Sequence, residues 1–248
     1  MKKSKILSAV LAGIMLCTAC VALTGCQEKK KTLIMATNAE FPPYEYYEGD
    51  KVVGIDAEIA AAIAADMGYT IVIEDMAFDS IIAAVQSGKA DIGAAGMTVR
   101  EDRLKSINFS VPYTTASQVI IVKNESAVAT PDDLVGKRVG VQLGTTGDIY
   151  SENIEDATIE RYNKGFEAVQ ALLQDKIDAV IIDREPAKVY ISQNEGLKIL
   201  DQSFTDEEYA IAVAKDNEEL LEKVNASIEK LKSSGQLQNI IDKYISAE

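Results

Sequence analysis

The chain has no histidine and no tryptophan among its 248 residues, and its three cysteines, Cys17, Cys20 and Cys26, all lie near the start. Without histidine the commonest general base and metal ligand is missing, and beyond Cys26 there is no thiolate to act as nucleophile or to hold structural zinc. No metal or cofactor is expected. Any catalysis would rest on carboxylates, lysine or a serine–lysine pair. A body without cysteine forms no disulfide either, so in an oxidising compartment its core must stabilise it. The chain is long enough to supply one large core or two small ones. Positive charge is also scarce: 25 lysines and arginines stand against 39 aspartates and glutamates, for a formal charge of −14. There is no basic stripe, which argues against nucleic acid as a partner.

What is present begins with a basic start (Lys2, Lys3, Lys5) and an uncharged apolar run from Ile6 to Leu23. That length is compatible with a retained membrane helix and with a cleaved export signal. The run ends in Leu23-Thr24-Gly25-Cys26, which resembles the lipobox of bacterial lipoproteins. This likeness implies a signal over residues 1–25, a lipidated (palmitate-bearing) Cys26 that anchors the chain to the outer face of the cell membrane, and a tether over 26–31. Several acyl chains anchor stably where one does not.

From Thr32 the sequence alternates strand and helix patterns, which predicts an α/β fold with mostly parallel sheets. Thr32–Thr37 reads as a strand. Asp56 reads as the cap of a helix with Ile59, Ile63 and Met67 on one face and Gly68 as its stop. Phe78-Asp79 leads through an apolar helix to Gln86 and then a small apolar strand. Phe166-Glu167 leads at the same spacing to Gln174 and the strand Ala179–Ile182. Either the likeness is chance or the protein has two lobes of similar build. In the second case the ligand lies beyond the carboxyl ends of the strands, near Ala95-Gly96-Met97-Thr98 and Asp183. Ser117–Val122 going out and Tyr209–Val213 coming back are the candidate links. They divide the chain into a first lobe over 32–116, a second over 117–208, and a return over 209–248 that ends in two helices broken at Ser233-Ser234-Gly235.

Thr98-Val99-Arg100-Glu101 has the form of a capping box. It reads either as a capped surface helix or as an anion site in which helix N–H groups and Arg103 meet a carboxylate. Asp183 reads as a helix cap or as the counter-ion of an ammonium group. Gly144-Thr145-Thr146-Gly147 follows a strand and opens a further helix, without the lysine a phosphate loop needs.

Taken together, several stretches resemble the polar amino acid solute-binding proteins of ABC importers, solute-binding family 3. They are Ala36-Thr37-Asn38-Ala39-Glu40-Phe41-Pro42-Pro43-Tyr44, Gly54-Ile55-Asp56, Phe78-Asp79-Ser80, Ala95-Gly96-Met97-Thr98 with Arg103, Phe109-Ser110-Val111-Pro112-Tyr113, Gly144-Thr145-Thr146, and Asp178-Ala179-Val180 with Asp183. The resemblance implies a two-lobed periplasmic-binding-protein fold of type II, with two crossing strands as hinge. The implied partners are a free polar or basic amino acid and an ABC permease, and the protein would be a monomer and not an enzyme. Arg103 with Thr98 and nearby backbone would hold the ligand carboxylate, helped by Thr145 and Thr146. Asp183 and the Gly96 carbonyl would hold the ammonium group, within the Ala95-Gly96-Met97 segment. Phe41 and Phe78 would sandwich the side chain, with Asn38, Glu40 and Gln142 near its tip. Asn38 departs from the aspartate of several members that bind basic or amide ligands. Two rivals stand beside this reading: a cyclohexadienyl dehydratase-like enzyme with Glu40 as general acid, and a ligand-sensing module that reports to a membrane receptor.

Overall fold

The computed structural model describes residues 31–245. The expected signal, Cys26 and most of the tether lie outside them. Two sheets organise the chain. The first runs, edge to edge, Thr70–Asp75, Thr32–Thr37, Ile92–Gly93, Ala212–Ala214 and Ile107–Phe109. The second runs Thr158–Tyr162, Arg138–Gln142, Ala179–Asp183, Thr114–Lys123 and Leu197–Ile199. In both, three parallel strands come first and an antiparallel strand follows. The echo in the sequence is therefore an echo in topology. The helices Ile81–Gln86 and Gly165–Leu173 each lead to the third strand of their sheet.

Continuous apolar runs make the inner strands because helices cover both faces; every residue of Ala179–Asp183 is buried. One lobe packs Ile81, Val85, Ile92, Met97 and Ile107 together, the other Ile120, Val122, Val139, Val141 and Ile181. The helix Ile55–Asp66 buries Ile55, Ile59 and Ile63 and gives way to Gly68 at a φ of 72°.

Three local expectations are corrected. Asp56 does not cap its helix. The cap is Gly54, and the first helical N–H groups of Ile55 and Asp56 are already taken by the carbonyls of Pro43 and Tyr44. The Asp56 carboxylate is thereby released to accept from Gly96 N (2.8 Å) and Tyr113 Oη (2.8 Å). Asp79 likewise caps nothing; it lies inside the 3-10 turn Phe78–Ser80. The return strand of the hinge is Thr205–Tyr209, paired antiparallel with Thr114–Gln118, and not the apolar run that starts at Tyr209. That run is buried because it has already entered the first lobe. The hinge strand instead alternates, burying Glu207 and Tyr209 on one face.

Gly54 sits at a φ of 121°, and a Cβ there would come within 2.2 Å of the Tyr44 carbonyl oxygen. Gly54→Ala is expected to cost about 3 kcal/mol through strain and a backbone clash, which lowers Tm by roughly 6–12 °C in a thermal melt. An unchanged Tm would refute this packing.

Candidate functional site

One cavity lies between the two lobes. Its lining includes Asn38, Phe41, Phe78, Ala95, Gly96, Thr98, Arg103, Gln142, Thr145, Thr146 and Asp183, all singled out from the sequence, as was Gln118 for a polar or cation-accepting end with Glu40 and Gln142, together with Glu45. Two expected residues do not line it. The Met97 side chain is buried in the first lobe's core with Ile81 and Ile107. Glu40 pairs with Lys164 of the other lobe, and its carbonyl accepts from Tyr190 Oη at 2.8 Å. An ion pair occupies the carboxylate that the dehydratase-like reading requires as an acid.

The capping-box expectation also fails. The helix here is only Glu101–Leu104, with Arg100 at its cap and no side-chain cap bond. Thr98 instead forms a bridge with Tyr209, and its hydroxyl donates to Glu207. Arg103 is thus placed by direct contacts and not by a helix terminus. Its Nη1 donates to Thr98 O (2.9 Å), its Nη2 donates to Gly144 O (3.1 Å), and its guanidinium lies 5.3 Å from the Phe78 ring centroid. Arg103 is 4% exposed, and burial lowers its pKa to about 10, so it stays charged at neutral pH. Asp183 holds the cap position of the helix Arg184–Gln193 but caps nothing. Its carboxylate accepts from Tyr209 Oη. Burial, and then the nearby Glu207 charge, raise it to about 7, against the pull of the Tyr209 and Gln118 hydrogen bonds.

Across the cavity the lobes touch through side chains from both sheets. Gln142 Nε2 donates to Asn38 Oδ1 (2.9 Å), Thr146 Oγ1 donates to Thr98 Oγ1 (3.0 Å), and Arg103 reaches Gly144. Thr145 caps the helix Thr146–Ser151, as expected of the glycine-flanked turn, by accepting from Asp148 N. Phe41 packs against Gly96, where a Cβ would stand 2.9 Å from the ring; that strand end must be glycine.

The sequence reading missed Glu45 and Glu207. Glu45 is 1% exposed, and its carboxyl shares a hydrogen bond with the Asp56 carboxylate. Burial, followed by the Asp56 charge beside it, pushes its pKa well above the usual range. No alternation announces it: burial falls steadily along the short strand Glu45–Glu48.

Comparison with known proteins is decisive at this point. Residues 33–247 match the family described as bacterial extracellular solute-binding proteins, family 3. The chain belongs to that family. The arginine-binding extracellular protein ArtP of Bacillus subtilis (strain 168) is 36% identical to this solute-binding protein, over 95% of the chain and 98% of ArtP. Two solved structures of an ancestral arginine-binding protein, one bound to arginine and one to glutamine, superpose with TM-scores of 0.84 and 0.82. Each is 39% identical and covers 88% of this chain and 99% of its own. The fold of the solute-binding protein is accordingly the two-lobed periplasmic-binding-protein fold.

Arg103→Ala and Asp183→Ala are each expected to weaken binding of a free amino acid by about tenfold or more. Tm should hold or rise slightly in the absence of ligand, because each removes a buried charge that nothing fully pairs. Isothermal titration beside a thermal melt checks both, and wild-type affinity in either variant would refute the assignment.

Proposed function

We propose that this solute-binding protein captures a free amino acid with a cationic side chain, arginine first, and delivers it to an ABC permease. The observation that carries the reading is Glu45. A zwitterion brings one carboxylate for Arg103 and one ammonium for Asp183. With both matched, the cavity still holds the Glu45 carboxyl, whose pKa burial and the adjacent Asp56 push well above the usual range. A second positive group on the ligand pairs with it and draws it to its ionised form. Phe41 and Phe78 flank an aliphatic stem, and the Arg103 guanidinium near Phe78 sets the carboxylate end. ArtP is named for arginine, which supports the same cargo. The Asn38–Gln142 amide pair favours a second reading, a neutral amide ligand such as glutamine; the ancestral relative has been solved with both.

Closure follows from the division of the site. Arg103 and Asn38 stand on one lobe, Asp183, Gln142 and Thr146 on the other, so a bridging ligand favours the closed form by its differential affinity. The protein acts as a binder and not as a catalyst in this reading. It is secreted, held to the membrane by a lipid on Cys26, and works as a monomer.

L-Arginine at a hundred times its Kd should add about 2.7 kcal/mol to stability, visible as the largest thermal shift among the proteinogenic amino acids. Glu45→Gln should abolish the preference for arginine over glutamine. A larger shift with glutamine in the wild type selects the second reading, and no shift with any amino acid refutes both. For the anchor, Cys26→Ser should move the protein from the membrane fraction to the medium; retention in the membrane refutes lipidation.

A further inference from the structure

Glu207 stands on the return strand of the hinge, outside every motif that suggested the site, yet it is 7% exposed and receives the hydroxyl proton of Thr98. A threonine hydroxyl has one proton and two lone pairs. At Thr98 the proton goes to Glu207 Oε2, and one lone pair accepts from Thr146 Oγ1 at 3.0 Å. Thr146 accepts in turn from Arg100 Nη1 at 3.5 Å. The network therefore runs from a cation to a carboxylate: from Arg100 to Thr146, and from Thr98 and Thr146 to Glu207. Thr98 lines the cavity with a lone pair to offer and no proton left to give.

We propose that Glu207 is a positioning residue that fixes the Thr98 hydroxyl as a hydrogen-bond acceptor for the ammonium group of the ligand. The Thr98 hydroxyl then stands with Asp183 at the ammonium end, which leaves its backbone N–H for the carboxylate end. The same strand supports the second acceptor. Tyr209, two residues on and on the same face, donates its hydroxyl to Asp183. Alternate residues of one hinge strand thus stand behind the two groups that receive the ammonium. Gln118, on the opposing hinge strand, completes the backing, and its amide holds the pKa of both Asp183 and Glu207 down against the rise that burial causes. The ligand is read by groups that the hinge itself holds in place.

This inference rests on the reading of the cargo as an α-amino acid, and the test separates the two. Titration with L-arginine should show Glu207→Ala weakened by about tenfold or more. Glu207→Gln, whose amide oxygen still accepts from Thr98, should stay within about threefold of wild type. Thr98→Val should lose as much as Glu207→Ala, and the double variant no more than Thr98→Val alone, because the effect passes through one hydroxyl. The desamino analogue of arginine, which has no ammonium group, should bind Glu207→Ala and wild type alike. Glu207→Leu replaces the alanine variant if that one does not fold, since it keeps the bulk and removes the acceptor. Additive losses in the double variant, or Glu207→Gln as weak as Glu207→Ala, would overturn the proposal by showing that Glu207 acts through its charge. Wild-type affinity in Glu207→Ala would overturn it outright. A wild-type protein that binds amino acids while Glu207→Ala is unaffected fails this inference alone; a wild type that binds none fails the reading of the function as well.

Discussion

Everything about this molecule turns on charge that is buried before it is matched. Arg103, Asp183 and Glu45 are each almost fully enclosed, and the protein supplies only partial partners for them: carbonyls for the arginine, the Tyr209 hydroxyl and the Gln118 amide for the aspartate, and the Asp56 carboxylate for the glutamate. Removing such groups from water without full compensation is costly. The hydrophobic cores offset that cost. In the proposed function, a ligand with complementary charges returns it.

The lobes also share the work unequally. Contacts between them include side chains that belong to the cavity, Asn38 with Gln142 and Thr98 with Thr146, and a half-buried ion pair that does not line it, Glu40 with Lys164. The contacts that join the lobes therefore also form the cavity wall. The half-buried pair adds little energy, whereas the buried contacts order that wall.

Much of the fold was legible because apolar runs and stop signals are local. Thr32–Thr37, the helix that begins beside Gly54, the Gly144–Gly147 turn and the break near Gly235 all follow from short patterns. The doubled topology was legible as a repeat of spacing between Phe78–Gln86 and Phe166–Gln174. What failed was the inference from a polar residue to its nearest helix. Thr98, Asp56 and Asp183 each have the chemistry of a cap, and each makes its bond across the fold, to Glu207, Gly96 and Tyr209. Those partners lie far along the chain, and no local pattern encodes them. Glu207 escaped for a related reason: an acidic residue in an alternating strand is usually on the solvent side, and only the burial of its neighbours reveals the face. Glu45 opens a strand too short to alternate.

The strand Ala212–Ala214 lies between Ile92–Gly93 and Ile107–Phe109 in the first sheet. The N-terminal lobe is thus missing an interior strand until the inserted lobe has been synthesised with all its own strands. A growing chain cannot complete the first sheet before Ala212–Ala214 emerges, and long-range strand pairing is slow in any case. The inserted lobe is thus free to pair its strands first, and the first lobe waits for a strand that arrives after it.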